Sequence, residues 1–347
     1  MATGDGACDN VHGMKRVTLQ DVAEHAGVSR AAASMVVRGT GRLSPETRVR
    51  VQASMEALGY VYHRGAATLR TNRSGLLGLL LTDVSNPFFS AMTLGFEEVA
   101  SEAGFMTMVT NTFDEPARQQ RLVRAMLEYP VDGFAYTPAV GGEESLVLSA
   151  GMSLPVLAIT RRSMNDIPSL VPDDMQGGAL AAEHLVVVHG ARRLVYLGGP
   201  EKAGPRYDRM TGVEQTLKAH PGAQLIRQFP GETSIRSGME LSAQLLDSGI
   251  EFDAVVCHSD VIAFALLHAL RESARSDRFI SVIGFDGLPE SEVFSPPVTS
   301  VAVGPAALGG SAASWILAGL RGDPAVDIEP MTMHLEVRAS CGCAPTA

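Results

Sequence analysis

Residues 17–39 read VTLQDVAEHAGVSRAAASMVVRG, two short helices around a tight turn. Thr18 can cap the first helix, with Asp21 three residues on in the reciprocal capping position. Val22, Ala23 and Ala26 form its inner stripe, and Gly27 ends it with a residue tolerant of positive φ. Ser29 is placed to cap the second helix, whose Ala33 and Val36 face back toward Ala23 and Val28. Small residues at Ala23 and Ala33 permit close approach. The spacing fits a helix-turn-helix, whose second helix enters the major groove of DNA, with an ordinary helical hairpin as the alternative. A third helix is expected from Pro45 to Leu58, capped by Ser44 and stopped by Gly59, with Val49, Met55 and Leu58 completing the core.

Charge separates this head from the remainder of the chain. The chain has 347 residues and a net charge of −10, which alone argues against nucleic acid. Residues 15–73, however, hold ten Lys/Arg against four acids, whereas residues 74–347 hold 18 against 32. A small basic module joined to a large acidic one presents one end to phosphates and keeps the other away from them. Between them, residues 60–75 carry Arg64, Arg70 and Arg73 around one large apolar side chain, Leu69. A leucine flanked by arginines fits a minor-groove wedge, with docking of Leu69 on its own domain as the alternative.

From Ser74 onward, short apolar runs alternate with amphipathic helices. Strands are expected at 76–81, 107–110, 133–136, 156–159, 194–197, 254–257 and 282–284. Helices are expected at 118–128, 177–188, 207–219, 235–248 and 261–272. Such alternation means parallel α/β sheets covered on both faces, with ligands bound outside the carboxyl ends of strands. Those ends carry Asp83, Asn111, Thr137, Thr160, Arg161, Ser259, Asp260 and Asp286. Trp315, in an apolar helix, reads as core or dimer contact.

Three motifs, TLQDVAEHAGVS, SPETRVRVQASMEALGY and SGLLGLLLTDVSNPFF, together resemble the lactose-repressor/galactose-repressor (LacI/GalR) family of bacterial transcription regulators. The resemblance covers nearly the whole chain. It implies a helix-turn-helix head on a two-lobed, periplasmic-binding-protein-like α/β body. It further implies a homodimer on a pseudo-palindromic double-stranded DNA operator, a repressor controlled by a small-molecule effector, with carbohydrate the expected class. The implied domains are a disordered tail 1–14, a head 15–62, a hinge 63–73 and a body 74–347. The body divides into an N-lobe of 74–172 and 302–326 and a C-lobe of 173–301 and 327–347. The chain is expected to cross between lobes near Pro172, Val301 and Asp327.

Residue by residue, Arg30 and Ala31 fall where the family reads base edges, and Leu69 falls on the wedge between Arg64 and Arg70. Thr18, Ser29 and Ser34 belong to the same DNA-binding set. The family's usual recognition-helix arginine is Met35 here, suited to a thymine methyl but not to bidentate hydrogen bonds. Arg38 replaces the usual asparagine as a phosphate contact. In the hinge, Tyr62 and His63 replace Pro-Asn, and Ala67 replaces an arginine. For the effector, Asp83, Asn86 and Phe88 leave a strand and open a helix toward the crevice, with pure capping an even alternative for Asp83 and Asn86. Asn111 adds another strand end. Arg209, Asp286 and Ser259 fall at the family's pocket positions, with Asp260 capping the next helix. Arg161 and Arg162, without the acid many relatives carry there, tilt the pocket toward an anionic ligand. As an aromatic platform only Phe88 and Phe285 are candidates.

Other classes find little support. G-x-G-x-x-G after a strand, the phosphate-binding G-x-x-x-x-G-K-[ST] loop and the G-x-S-x-G elbow are all missing, so no enzyme and no cofactor is expected. A solute-binding module with a differently used basic head is the competing reading. No apolar run is long enough to span a membrane, and residues 1–16 lack a signal peptide's apolar centre, so the cytoplasm is expected. The four cysteines read as reduced and structural. His184 and His189, five apart on a helix, have the wrong spacing for a metal pair, and no metal is expected.

Overall fold

The computed structural model describes residues 17–61, 73–129, 131–142, 154–163, 167–273, 279–324 and 328–344. The tail 1–14 and the hinge residues Tyr62, His63, Arg64, Ala67, Leu69 and Arg70 lie outside them, as does Asp327. The described residues form two compact units that divide between Ser74 and Gly75.

The first unit holds α1 (Leu19–Ala26), α2 (Arg30–Val37) and α3 (Pro45–Leu58). Thr18 and Asp21 close a reciprocal cap: the Thr18 amide donates to Asp21 Oδ2 at 2.7 Å, and the Asp21 amide to Thr18 Oγ1 at 3.3 Å. Gly27 takes φ 63°, the left-handed turn that reverses the chain between α1 and α2. Ser29 accepts from the Ala32 amide at 3.1 Å and starts α2. Val22, Ala23, Ala26, Ala33, Val36 and Val51 are buried together. Val49 is not part of that core. It is 64% exposed, while Val51, Ser54, Met55 and Leu58, at helical spacing, make the inner face of α3. His25 fills the same interface by meeting Ser54 Oγ at 3.0 Å.

The second unit contains two sheets. The first has the order β2-β1-β3-β4-β5, all parallel, from β1 (Leu76–Leu81), β2 (Met106–Asn111), β3 (Gly133–Tyr136), β4 (Val156–Ile159) and β5 (Ser169–Leu170). The second has the order β11-β10-β9-β8-β6-β7, from β6 (Arg193–Leu197), β7 (Gln224–Phe229), β8 (Ala254–Cys257), β9 (Ser281–Asp286), β10 (Thr299–Ala302) and β11 (His334–Glu336). It is parallel except for its edge, where β11 runs antiparallel to β10. The sequence reading missed β5, β7, β10 and β11. Each is short or half-exposed and lacks the continuous apolar run that marks a central strand.

The helices covering these sheets are α4 (Pro87–Glu102), α5 (Pro116–Glu128), α6 (Asp174–Glu183), α7 (Gly204–Ala219), α8 (Ile235–Asp247), α9 (Asp260–Glu272) and α10 (Pro305–Arg321). After α6 the chain continues as a π-helical turn, His184–Val188. The chain leaves the first sheet at Pro172, where a bridge to Met331 ties the outgoing segment to a returning one. The Asp173 amide donates to Met331 O at 2.9 Å, and the Met331 amide to Val171 O at 2.8 Å. The next crossing follows β10, whose last residues are Val301 and Ala302; α10 then packs on α4. Trp315 is half-buried against the body core.

Two helix pairs cross at glycine. A Cβ on Gly309 of α10 or Gly95 of α4 would strike the Met92 or Ala306 backbone carbonyl. A Cβ on Gly178 of α6 or Gly212 of α7 would strike the Arg209 or Met175 carbonyl. Backbone cannot step aside as a side chain can, so Gly309→Ala should cost about 3 kcal/mol in urea unfolding. Gly310→Ala, whose Cβ would sit 3.4 Å from Val99, an ordinary contact, should stay within about 1 kcal/mol of wild type.

Candidate functional site

On the first unit, α2 presents Arg30, Ala31 and Arg38 to solvent, with Ser34 and Met35 half-buried beside them. Thr18 and Ser29 are exposed at helix N-termini, where their hydroxyls are already engaged as caps. Arg38 folds back, its Nε donating to Ser34 O at 2.9 Å and so closing the carbonyl end of α2. Met35 lies under the loop after α2: a Cβ on Gly41 would stand 2.6 Å from its sulfur. Arg48 from α3 donates to Gly41 O at 3.0 Å and holds that loop down. Arg30, Arg38, Arg42 and Arg50 are exposed cations of this small unit.

The second unit contains a cavity of about 500 Å³ at the carboxyl ends of both sheets. Of the residues singled out from sequence, Asp83, Asn86, Phe88, Arg161, Arg209, Ser259 and Asp286 line it. Asn111 stands behind the wall, its Oδ1 accepting from the Val84 amide at 2.9 Å and fixing the loop that carries Asp83. Asp83 and Asn86 are caps as well as lining, accepting from the Ser85 and Phe88 amides at 2.9 and 3.0 Å. Ser259 caps α9, accepting from the Ile262 amide at 3.4 Å.

Asp260 does not cap that helix. It is fully buried behind the cavity, accepting from the Leu288 amide at 2.9 Å, Ser291 Oγ at 2.9 Å and Ser300 Oγ at 2.7 Å. Burial raises its carboxyl to about 6 despite those donors. Burial raises Asp286 more strongly, with Asp260 adding to the effect. Among the described residues none hydrogen-bonds Asp286 Oδ2, a buried carboxyl oxygen beside the cavity.

The arginines are already matched. Arg209 Nε donates to Asp174 Oδ1 at 2.7 Å, its Nη1 donates to the His258 carbonyl, and its guanidinium lies 4.3 Å above the centroid of the Phe285 ring. Arg161 grips Asp114 through two bonds of 2.6 and 3.1 Å and also donates to Pro138 O at 2.9 Å. The premise for an anionic ligand changes: Arg161 has its acid, supplied by the segment after another strand, and Arg162 is exposed and off the wall. The aromatic reading also changes. Phe285 is wholly buried beneath Arg209, and Phe88, Phe89 and Phe113 form the aromatic wall. His258 is held neutral by burial, with Arg209, Arg206 and Arg161 adding to the effect; its Nδ1 meets the Tyr196 hydroxyl at 2.9 Å.

Backbone strain is concentrated here. Among the described residues, the non-glycines with positive φ are Phe113 (52°), Asp114 (58°), Thr160 (62°) and Asp286 (113°), and all four line the cavity. Left-handed conformations cost an L-residue about 1–3 kcal/mol each and persist where the surroundings enforce them. Sequence reasoning missed Phe113, Asp114 and His258. Asp114 was within reach, being an acid just after a strand end, but the left-handed turn that aims it leaves no trace in composition.

Residues 18–62 match the family described as bacterial regulatory proteins, lacI family. Residues 74–326 match the periplasmic binding proteins and sugar binding domain of the LacI family. The chain belongs to the LacI family. Its members among the relatives include the maltose regulon regulatory protein MalI of Escherichia coli, 32% identical over 299 residues, covering 82% of this chain and 87% of that one. The ribose operon repressor of Bacillus subtilis is 31% identical over 310 residues, covering 88% and 93%. Among solved structures, the Lac repressor dimer bound to operator and an anti-inducer superposes with a TM-score of 0.82 at 26% identity, covering 94% of this chain and 99% of that one. This LacI-family protein is a DNA-binding transcription regulator with a periplasmic-binding-protein-like body, not an enzyme. No described helix is long and apolar enough to cross a membrane.

The buried charges lead to two expected outcomes. Asp174→Ala would strand the Arg209 guanidinium without its acid and should destabilise the body by about 3–5 kcal/mol in denaturant unfolding. Asp260 titrates near 6 folded and near 3.8 unfolded. Its contribution is therefore greatest below about pH 4 and is lost as pH rises through about 6. Asp260→Asn, fixed in the neutral form, should gain on wild type by on the order of 2 kcal/mol between pH 4 and pH 7, whatever their constant offset.

Proposed function

We propose that this regulator is a cytoplasmic repressor that binds a two-fold-symmetric operator as a dimer through α2. A hydroxyl-rich, sugar-like effector in the cavity controls it. The observation that carries the effector reading is the pairing of both pocket arginines with acids, Arg161 with Asp114 and Arg209 with Asp174, while Asp286 Oδ2 stays open. A wall with spent cations and an unpaired carboxyl held towards its neutral form by burial suits a neutral ligand whose hydroxyls both donate and accept, held between those groups and Phe88, Phe89 and Phe113.

The cellobiose complex of the transcriptional regulator CelR, with a TM-score of 0.65 and 26% identity over 94% of this chain and 100% of that one, is consistent with that class. In this reading Asp83, Asn86, Phe88, Arg161, Arg209, Ser259 and Asp286 contact or orient the effector, and Asn111 positions Asp83. Arg30, Ala31, Ser34 and Met35 face base edges, with Thr18, Ser29 and Arg38 at the backbone. Leu69, flanked by Arg64 and Arg70, is the wedge between the paired hinges.

Selection of genomic DNA fragments by the purified protein should enrich a two-fold-symmetric motif. Arg30→Ala should weaken binding to that motif by about 10- to 100-fold while leaving nonspecific, salt-dependent binding in place. Monosaccharides and disaccharides screened by thermal shift should include one that raises the melting temperature of the body and alters motif binding. Asp286→Asn should keep DNA affinity and lose at least about tenfold in that ligand's potency. A hit confined to anionic metabolites, or an unchanged response in Asp286→Asn, would overturn the effector assignment.

A further inference from the structure

Away from the cavity, four soft ligands meet at one point. His184 Nε2, His189 Nε2, Cys341 Sγ and Cys343 Sγ all lie within 4.8 Å of one another. In a straight α-helix, residues five apart differ by about 140° around the axis and cannot face one target. The expectation that His184 and His189 have the wrong spacing fails because His184–Val188 is a π-helical turn. Its i→i+5 bonding widens the turn and brings the two imidazoles onto one side, with ring centroids 5.0 Å apart. The cysteines arrive from the other end of the sequence, on the turn Ala339–Cys341 and the residue after Gly342. Gly342 takes φ 105°, and a Cβ there would stand 2.9 Å from Phe279 and 3.3 Å from His189 Nδ1, so only glycine lets the Cys-x-Cys lie against the histidine.

We propose that His184, His189, Cys341 and Cys343 form a tetrahedral site for a zinc-class divalent cation. Zinc–sulfur and zinc–nitrogen bonds of about 2.3 and 2.05 Å at tetrahedral angles put nitrogens about 3.3 Å apart and nitrogen and sulfur about 3.6 Å apart. The histidine nitrogens here are 3.2 Å apart. The nitrogen–sulfur separations are 3.3 Å for His184 with Cys341, 3.7 Å for His184 with Cys343 and 3.5 Å for His189 with Cys343. Four of the six edges thus stand close to tetrahedral lengths, and the other two, His189 with Cys341 and Cys341 with Cys343, lie within 4.8 Å, so closing on an ion takes at most small side-chain movements. Two thiols and two imidazoles select zinc over magnesium or calcium, which take oxygen ligands. On binding, both thiols release their protons to solvent, so the site gains no net charge.

Four protein ligands fill a tetrahedron and leave no open position, which makes the site structural. Its role is to clip the segment 338–343 onto the end of the helix that begins at Asp174, about 15 Å from the Arg209 pair along the α6 axis. The closed loop exceeds 150 residues, the regime in which a clip restricts the unfolded chain most.

The test uses the full-length protein, reduced and stripped by a chelator, titrated with Co²⁺ and then Zn²⁺. One equivalent of cobalt should produce the intense visible absorption of tetrahedral thiolate coordination, and zinc should displace it. Cys343→Ser and His189→Asn, both incompletely buried positions, should each weaken cobalt binding at least tenfold, while Cys257→Ser should leave it unchanged. Freshly purified protein should carry about one zinc per chain by elemental analysis. Weak octahedral absorption only, equal binding by wild type and Cys343→Ser, or a Cys341–Cys343 disulfide in the reduced preparation's mass spectrum would overturn the proposal. Should a variant fail to fold, the wild-type spectrum and its displacement by zinc decide alone.

Discussion

A buried guanidinium organises the body of this protein. Arg209 sits on α7 with almost no solvent contact, and an arginine cannot shed its charge to escape burial. Everything around it answers that constraint. Asp174, at the first position of α6, supplies the counter-charge; His258 lends its carbonyl, and Phe285 its ring face. For Asp174 to reach Arg209, α6 and α7 must nearly touch, which is why Gly178 and Gly212 stand where a Cβ would strike backbone. Through the His258 carbonyl and the Phe285 ring the same guanidinium also packs against the residues next to Ser259 and Asp286. One desolvated cation thus accounts for a helix crossing, two glycines and the packing behind two of the wall residues.

The first sheet solves the same problem differently. Arg161 and Asp114 are partly exposed and meet across two strand ends rather than between helices. Here the turn itself carries the cost, because Phe113, Asp114 and Thr160 all take left-handed conformations. Two arginine–aspartate pairs, one from each sheet, leave a cavity with no spare cation among these groups. Its character is set by carboxylates, amides, hydroxyls and phenylalanines.

Much of this was legible because it rests on local chemistry. Caps, punctuating glycines and apolar runs located α1, α2 and the central strands to within a residue or two, since a buried parallel strand must be apolar throughout. Strand carboxyl ends pointed to Asp83, Arg161, Ser259 and Asp286 for the same reason. What escaped depended on backbone geometry that composition does not encode. Asp114 is aimed by positive φ, and Val49 lies two residues out of phase with the inner face of α3. Asp260 has the position of a cap in the sequence, yet its three donors come from 28, 31 and 40 residues away. The π-turn is the plainest case. A 3.6-residue period separates His184 from His189, and one widened turn joins them.

The distribution of the wall residues explains how such a cavity can govern anything at all. Asp83, Phe88, Phe113 and Arg161 belong to segments around the first sheet, and Arg209, His258, Ser259 and Asp286 to segments around the second. A ligand contacts both sets at full strength only in one spacing of the two sheets, so its affinity differs between spacings. That difference, and not the affinity itself, is the free energy available to shift an equilibrium. Because the chain passes between the sheets at Pro172 beside Met331, again after β10 and on its return to β11, the change in spacing is carried by a few hydrogen-bonded crossings. By linkage, whatever DNA affinity the ligand alters, DNA must alter in the ligand by the same factor.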